Sequence, residues 1–183
     1  EIIPQAHAAG AWVHVDGAFG LWALASPALA HLAAGYLNAD SWGTDAHKWL
    51  NVPYDCGIAL VKDADAMARA MTVTGAYLVK SDHRDALNFT PDSSRRGRSV
   101  EVWAALKSLG RTGLAAMIER NCDQAQYLAH GLRAAGHDVL NDVVLNQVLA
   151  AFGDDAKTKA VIDDIQVGGE IWCGGTRWRG RNA

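Results

Sequence analysis

Apolar and polar positions alternate along this chain in two rhythms, one of strands and one of helices. Residues 2–9 read as the tail of a helix closed by Gly10. The run Ala11-Trp12-Val13-His14-Val15, rich in β-formers and bounded by Gly10 and Asp16-Gly17, reads as a strand. An Ala/Leu-rich stretch from Ala28 to Tyr36 follows Pro27, a residue suited to a first helical position, and predicts a helix. Ser41 to Thr44 and Gly57 to Val61 predict two more strands. Strand, helix and strand within about 30 residues is the size of a βαβ unit, which implies an α/β sheet covered by helices.

A helix over 63–71 is followed by a polar connection over 72–98. Loops longer than about 12–15 residues are uncommon and often functional. Ser99 and Glu101 supply a cap and a first-turn acid for a new helix with Val100, Trp103, Ala104 and Leu106 on its buried side. Gly110 and Gly113 punctuate it. Leu114, Met117, Ile118, Ala125, Leu128, Ala129 and Leu132 then form one stripe of a long helix ending at Gly136. Strands over His137–Leu140 and Leu145–Phe152 and a helix near 154–166 complete an α+β tail.

Composition narrows the class. The 183 residues are 50% hydrophobic and 20% charged, enough for a sizeable core and for one domain, or one and part of a second. A formal charge of −3 argues against a predominantly electrostatic nucleic-acid binder. No apolar run approaches the roughly 20 residues that span a bilayer, and no signal peptide is evident. Cys56, Cys122 and Cys173 are too few and too scattered for a disulfide scaffold or thiolate zinc cluster, so a reducing, cytoplasmic setting is expected. The chain begins at Glu1 rather than Met and stops just after a strand-like segment, so it reads as a fragment of something longer.

Two segments concentrate candidate chemistry: His14-Val15-Asp16 and Asp45-Ala46-His47-Lys48. Residues two apart in a strand share a face, so His14 and Asp16 point the same way. Both segments lie at or just past strand ends, where open α/β sheets bind ligands. Lys62, Lys80, Lys107, Lys157 and Lys159 have polar or helix-surface settings, whereas Lys48 lies among Trp42, Trp49, Leu50 and Val52. Partial desolvation there is expected to lower its pKa and free its lone pair for Schiff-base chemistry. A lysine of this kind, with an aspartate to hold a pyridinium nitrogen protonated, is the constellation of pyridoxal phosphate sites. A plainer reading makes Asp16 a turn former and Lys48 a snorkelling stem. A third makes His14, Asp16, Asp45 and His47 the ligands of a metal-dependent hydrolase.

A family resemblance separates these readings. Trp12-Val-His-Val-Asp16-Gly-Ala-Phe-Gly20 resembles the central aspartate strand of the group II pyridoxal phosphate-dependent amino-acid decarboxylases, which include the aromatic-L-amino-acid, histidine and glutamate decarboxylases. Asp40-Ser-Trp-Gly-Thr-Asp-Ala-His-Lys-Trp49 resembles their Schiff-base lysine segment, with Tyr54-Asp-Cys-Gly57 following as it does there. The likeness continues through Tyr77-Leu78 and Ser94-Arg95-Arg96-Gly97-Arg98-Ser99, covering most of the chain in consistent order.

The resemblance implies a fold-type I, transferase-like α/β fold with a mostly parallel sheet. Residues 1–110 would be the second half of the large cofactor domain, with a mobile loop at about 72–98. Residues 111–183 would be a linking helix and the start of a small α+β domain. It implies pyridoxal 5'-phosphate as cofactor, an L-amino-acid substrate, carbon dioxide release and a homodimer, with this piece inactive alone. Lys48 would form the Schiff base, Asp16 pair with the pyridine nitrogen, Ala18 pack on a ring face, and His47 contact the phosphate and, as a catalytic residue, help position the Schiff base. Tyr77 would protonate the substrate carbon, and Ser94 would line the substrate side chain. Aldehyde synthases, carbon–carbon lyases and aminotransferases of the same fold are the alternatives; the synthases often carry Phe where Tyr77 stands. Two departures from the family pattern stand out. Asp45 replaces a common Asn and is given no phosphate contact, and Gly17 replaces the usual Ala with no cost expected. The family's phosphate-gripping loop and ring-stacking His would precede residue 1. Arg95, Arg96 and Arg98 read as a solvated charge cluster, Asp82, His83 and Asp85 as a polar loop, and Trp172 and Trp178 as part of a β-edge.

Overall fold

A computed structural model describes residues 2–78 and 82–183. It divides into two compact units, Glu1–Ala115 and Ala116–Ala183. In the first, helix α1 (Ile2–Ala8) leads to strand β1 (His14–Asp16), β2 (Ser41–Asp45) and β3 (Gly57–Val61), then to helix α2 (Ala64–Met71). The strands form one sheet in the order β1-β2-β3. β1 runs parallel to β2, with His14 opposite Ser41 and Asp16 opposite Gly43. β2 and β3 are antiparallel, with Asp45 opposite Gly57.

The parallel pair agrees with the predicted crossover, but β3 turns back. The link 46–56 contains no helix and is shorter than the dozen or more residues of a parallel crossover, so it closes a hairpin-like pair. The β1–β2 crossover is not the expected α-helix. It is wound as two 3-10 stretches, Gly20–Ala25 and Ala30–Asn38. A 3-10 turn rises about 2.0 Å per residue against about 1.5 Å in an α-helix, which suits a chain returning the length of a sheet.

Caps set the clearest boundaries. Asp63 accepts a hydrogen bond from the Ala66 N–H at 2.9 Å and starts α2. Helix α3 (Ser99–Ala134) is broken at Gly110, where φ is 61° and ψ −176°, whereas Gly113 leaves it intact. The second unit packs Ala125, Ala129 and Val143 against Val139 and Val148. Its strands β4 (Asp138–Val139) and β5 (Ala150–Ala151) are shorter than predicted. The cause is Asn141, whose side chain accepts from the Leu149 N–H at 2.8 Å and donates to the Gln147 carbonyl at 3.1 Å, in place of a ladder. Asp154 caps α4 (Asp155–Gly168), and a hairpin of β6 (Arg177–Trp178) and β7 (Arg181–Asn182) follows.

Candidate active site

The carboxyl ends of β1 and β2 lie at the same edge of the sheet because the two strands are parallel. Asp16 closes β1 and is exposed; its Oδ1 accepts from the Ala18 N–H at 3.1 Å, an Asx turn. The turn is stitched to β2: the Gly17 N–H donates to the Gly43 carbonyl at 2.8 Å, and the Asp45 N–H to the Ala18 carbonyl at 2.7 Å. A Cβ on Gly17 would lie 2.7 Å from Leu21 Cβ and 3.3 Å from the Gly43 oxygen. The expectation that this glycine is a costless change is therefore wrong here: an alanine would have to push the following helical turn away.

From the end of β2 the chain folds into a packed turn. Ala46, Trp49, Leu50, Val52 and Cys56 are buried in it, and Trp49 meets Phe19 with ring centroids 6.0 Å apart. The turn holds His47 firmly. The Cys56 N–H donates to His47 Nδ1 at 3.0 Å, while the Cys56 carbonyl accepts from the Ala46 N–H at 2.8 Å. Nδ1 lies equally close, at 3.0 Å, to the Cys56 carbonyl, and Nε2 lies 4.0 Å from Asp45 Oδ2. Tyr54 packs against the imidazole with centroids 4.1 Å apart.

Lys48 is half exposed rather than desolvated, its side chain retaining 45% of its accessible surface. Its ammonium lies 2.8 Å from Asp45 Oδ2. The hydrogen bond that Lys48 donates to Asp45 outweighs residual desolvation and holds the lysine above its ordinary range, with Asp45, Tyr54 and Asp16 adding charge attraction. The expected lowering is thus reversed. One of the two tryptophans expected beside it serves another lysine: Lys62 Nζ sits 5.7 Å over the Trp42 ring.

The structure thus gathers Lys48, His47, Asp16 and Ala18 at one sheet edge. Tyr77, 85% exposed, and Ser94, also exposed, are not among the partners found there among the described residues. The metal reading fails on geometry. His14 turns its Nδ1 to Ser41 Oγ at 2.8 Å, and among the described residues no three His, Cys, Asp or Glu side chains gather to hold a metal. The arginine cluster is only partly solvated. Arg96 pairs with Glu101 at 2.9 Å, and Arg98 pairs with Asp55 at 2.7 Å. The sequence offers Asp45 only as a metal ligand or a departure from the family pattern, and Tyr54, Asp55 and Cys56 only as part of the resemblance, none of them as a partner of Lys48 or His47. The signal available for Asp45 was its i,i+3 spacing from Lys48.

The donor set fits an aldehyde cofactor with a basic ring nitrogen: a reachable primary amine, a carboxylate on the neighbouring strand, and an imidazole held by the Cys56 backbone. An amine and a carboxylate just past the ends of adjacent parallel strands suit an enzyme of the fold-type I class. Solved structures share that fold. Oryza sativa TDC with PLP and tryptamine superposes with a TM-score of 0.89 at 21% identity, covering 99% of this chain and 41% of that one. Mouse CSAD in apo form gives 0.84 at 21% identity, with 99% and 42% coverage.

Sequence comparison then fixes the family. The pyridoxal-dependent decarboxylase conserved domain matches residues 1–151, and the chain belongs to that family. The aromatic-L-amino-acid decarboxylase of Drosophila lebanonensis is 33% identical over 132 residues, which are 70% of this chain and 33% of that protein. The Sus scrofa enzyme of the same name is 29% identical over 188 residues, covering 99% of this chain and 39% of the relative. The chain therefore spans well under half the length of these relatives.

Proposed function

We propose that the protein containing this chain is a pyridoxal phosphate-dependent L-amino-acid α-decarboxylase. The observation that carries the reading is the meeting of Lys48, His47 and Asp16 at the ends of two adjacent parallel strands in a chain of this family. Pyridoxal phosphate, when bound, supplies an electron sink for the pair left behind as carbon dioxide departs. Lys48 holds the cofactor through its amine. Asp16 keeps a ring nitrogen protonated, Ala18 offers a small apolar surface to a ring face, and His47 contacts the phosphate and helps position the Schiff base. Tyr77 delivers the proton to the substrate carbon, and Ser94 lines the side-chain pocket. Placing a donor against that carbon is a positional task in which a small misplacement costs rate.

The same reading makes residues 1–110 part of a large cofactor domain and 111–183 the start of a smaller one. It makes the working protein a cytoplasmic homodimer and this piece inactive alone. Exposed Trp12, Val100 and Trp103 support a covered surface in the complete protein. No helix among the described residues is long and apolar enough to cross a membrane.

The test is borohydride reduction of the full-length protein with pyridoxal phosphate, followed by peptide mass spectrometry. A pyridoxyl group on Lys48 is expected, and its absence there overturns the reading. Carbon dioxide release across a panel of L-amino acids then distinguishes a decarboxylase from an aminotransferase, which would release none.

A further inference from the structure

We infer that Asp45 is a positioning residue for Lys48: its carboxylate holds the amine at the strand ends as an ammonium and sets the pH above which the amine attacks an aldehyde. The inference rests on the reading of Lys48 as the cofactor lysine and deepens it. Asp45 is fixed at both ends of its backbone context, by its N–H bond to the Ala18 carbonyl at 2.7 Å and by its pairing with Gly57 across β2 and β3. Its Oδ1 lies over Gly57, where a Cβ would come within 3.6 Å, leaving Oδ2 to reach Lys48 Nζ at 2.8 Å. The same oxygen is 4.0 Å from His47 Nε2, so one carboxylate faces both nitrogen groups. Asp16 from the end of β1 and Tyr54 from the packed turn also act on Lys48, and both favour its charged form.

The chemistry makes this arrangement consequential. An ammonium has no lone pair, so Lys48 must first release a proton to solvent. The neutral amine then forms a C–N bond, the aldehyde C=O bond breaks, and the oxygen leaves as water with the two remaining amine hydrogens. Carbon and nitrogen end joined by a double bond, and no oxidant or reductant takes part. A carboxylate that stabilises the ammonium slows the first step at neutral pH, while keeping the side chain aimed at the site. Because the pair is half exposed, salt screens it.

The experiment measures the rate at which pyridoxal phosphate becomes trapped on Lys48, by timed borohydride quenching and mass spectrometry across a pH series in the full-length protein. For Asp45→Asn the rate at neutral pH is expected to rise about threefold or more, with the profile displaced to lower pH. Asp45→Glu, which restores the charge, is expected to return the profile toward that of the unaltered protein. Added salt should displace the profile of the unaltered protein to lower pH, and by more than it displaces that of Asp45→Asn, where only Asp16 and Tyr54 still act; the first of these shifts serves if the variant fails to fold. Superimposable profiles for the unaltered protein and Asp45→Asn, or a salt-insensitive unaltered protein, overturn the inference. No trapping on Lys48 in any form overturns the cofactor reading instead. Reductive methylation of Lys48 by formaldehyde over the same pH series then still tests Asp45.

Discussion

The segment 45–57 and the segment 72–98 lie in the same unit and carry different halves of the proposed chemistry. They are built in opposite ways. The first buries Ala46, Trp49, Leu50, Val52 and Cys56, and the backbone of Cys56 grips the imidazole of His47. In the second, none of the described residues is buried. Among the described residues around Tyr77 the contacts are local, such as Leu78 N–H to the Gly75 carbonyl at 3.0 Å, while farther along the turn Ala86–Phe89 meets α2 and Arg98 reaches Asp55. A group that must stay in one place through a reaction needs surroundings that lock its rotamer, and the turn after β2 supplies them. A group that meets the substrate only after binding needs freedom to approach, and local contacts alone leave that open. The division between Lys48 and Tyr77 follows this logic.

The sharpest way to break the contrast is Tyr77→Phe. If the second segment contributes only the proton donor, amine formation should fall about a hundredfold or more. Cofactor binding, read from visible absorbance, should change by less than about twofold because Tyr77 is outside the packed turn. A matching loss of cofactor binding would show that the two segments are not independent.

Next in size is a pair of glycine substitutions, one in each kind of surrounding. Gly17→Ala, in the turn stitched to β2, forces a Cβ to 2.7 Å from Leu21 and should cost about 1–3 kcal/mol by denaturant midpoint. Gly97→Ala, in the exposed segment, meets nothing within 4 Å and should stay within about 0.5 kcal/mol of the parent. Equal costs would sink the claim that packing differs between the two places.

This contrast was only half legible in the amino-acid order. The strand ends were, because a period of two puts His14 and Asp16 on one face, and because Asp-Gly after a β-rich run reads as a turn. The long exposed connection was too, since its polarity leaves little to bury. The partner of Lys48 was not. Asp45 reaches it through a tight turn whose path depends on buried Trp49, Leu50 and Val52, and sequence proximity to tryptophan was mistaken for desolvation. The short strands near 138 and 151 escaped for a similar reason. The apolar pattern over 145–152 suits a strand, yet one asparagine side chain takes up the backbone groups that a ladder would use. The winding of the crossover as 3-10 rather than α leaves no periodic signature in two stretches that bury one residue each, Ala23 and Ala33.

The smallest expected effect concerns an ion pair that ties the two segments together. Arg98, at the end of the exposed stretch, donates from Nε to Asp55 Oδ1 at 2.8 Å and from NH2 to the same oxygen at 2.7 Å. Asp55 is held below its ordinary value of 3.8, chiefly by the hydrogen bond from Arg98 and then by its own backbone N–H. A depressed carboxylate stabilises the fold above its unfolded value, and that contribution is lost as pH falls through the lower folded value. Arg98→Ala should therefore lower Tm at neutral pH, by no more than about 4 °C because Asp55 is largely solvated. The difference between variant and parent should shrink as the solution is acidified below the folded pKa, and it should also shrink in high salt. Asp55→Asn should reproduce the neutral-pH loss, and combining the two changes should add little, since either alone removes the same pair. A Tm difference that persists unchanged into strong acid would mean that Arg98 acts through packing of its stem, and that the segments are joined by contact rather than by charge.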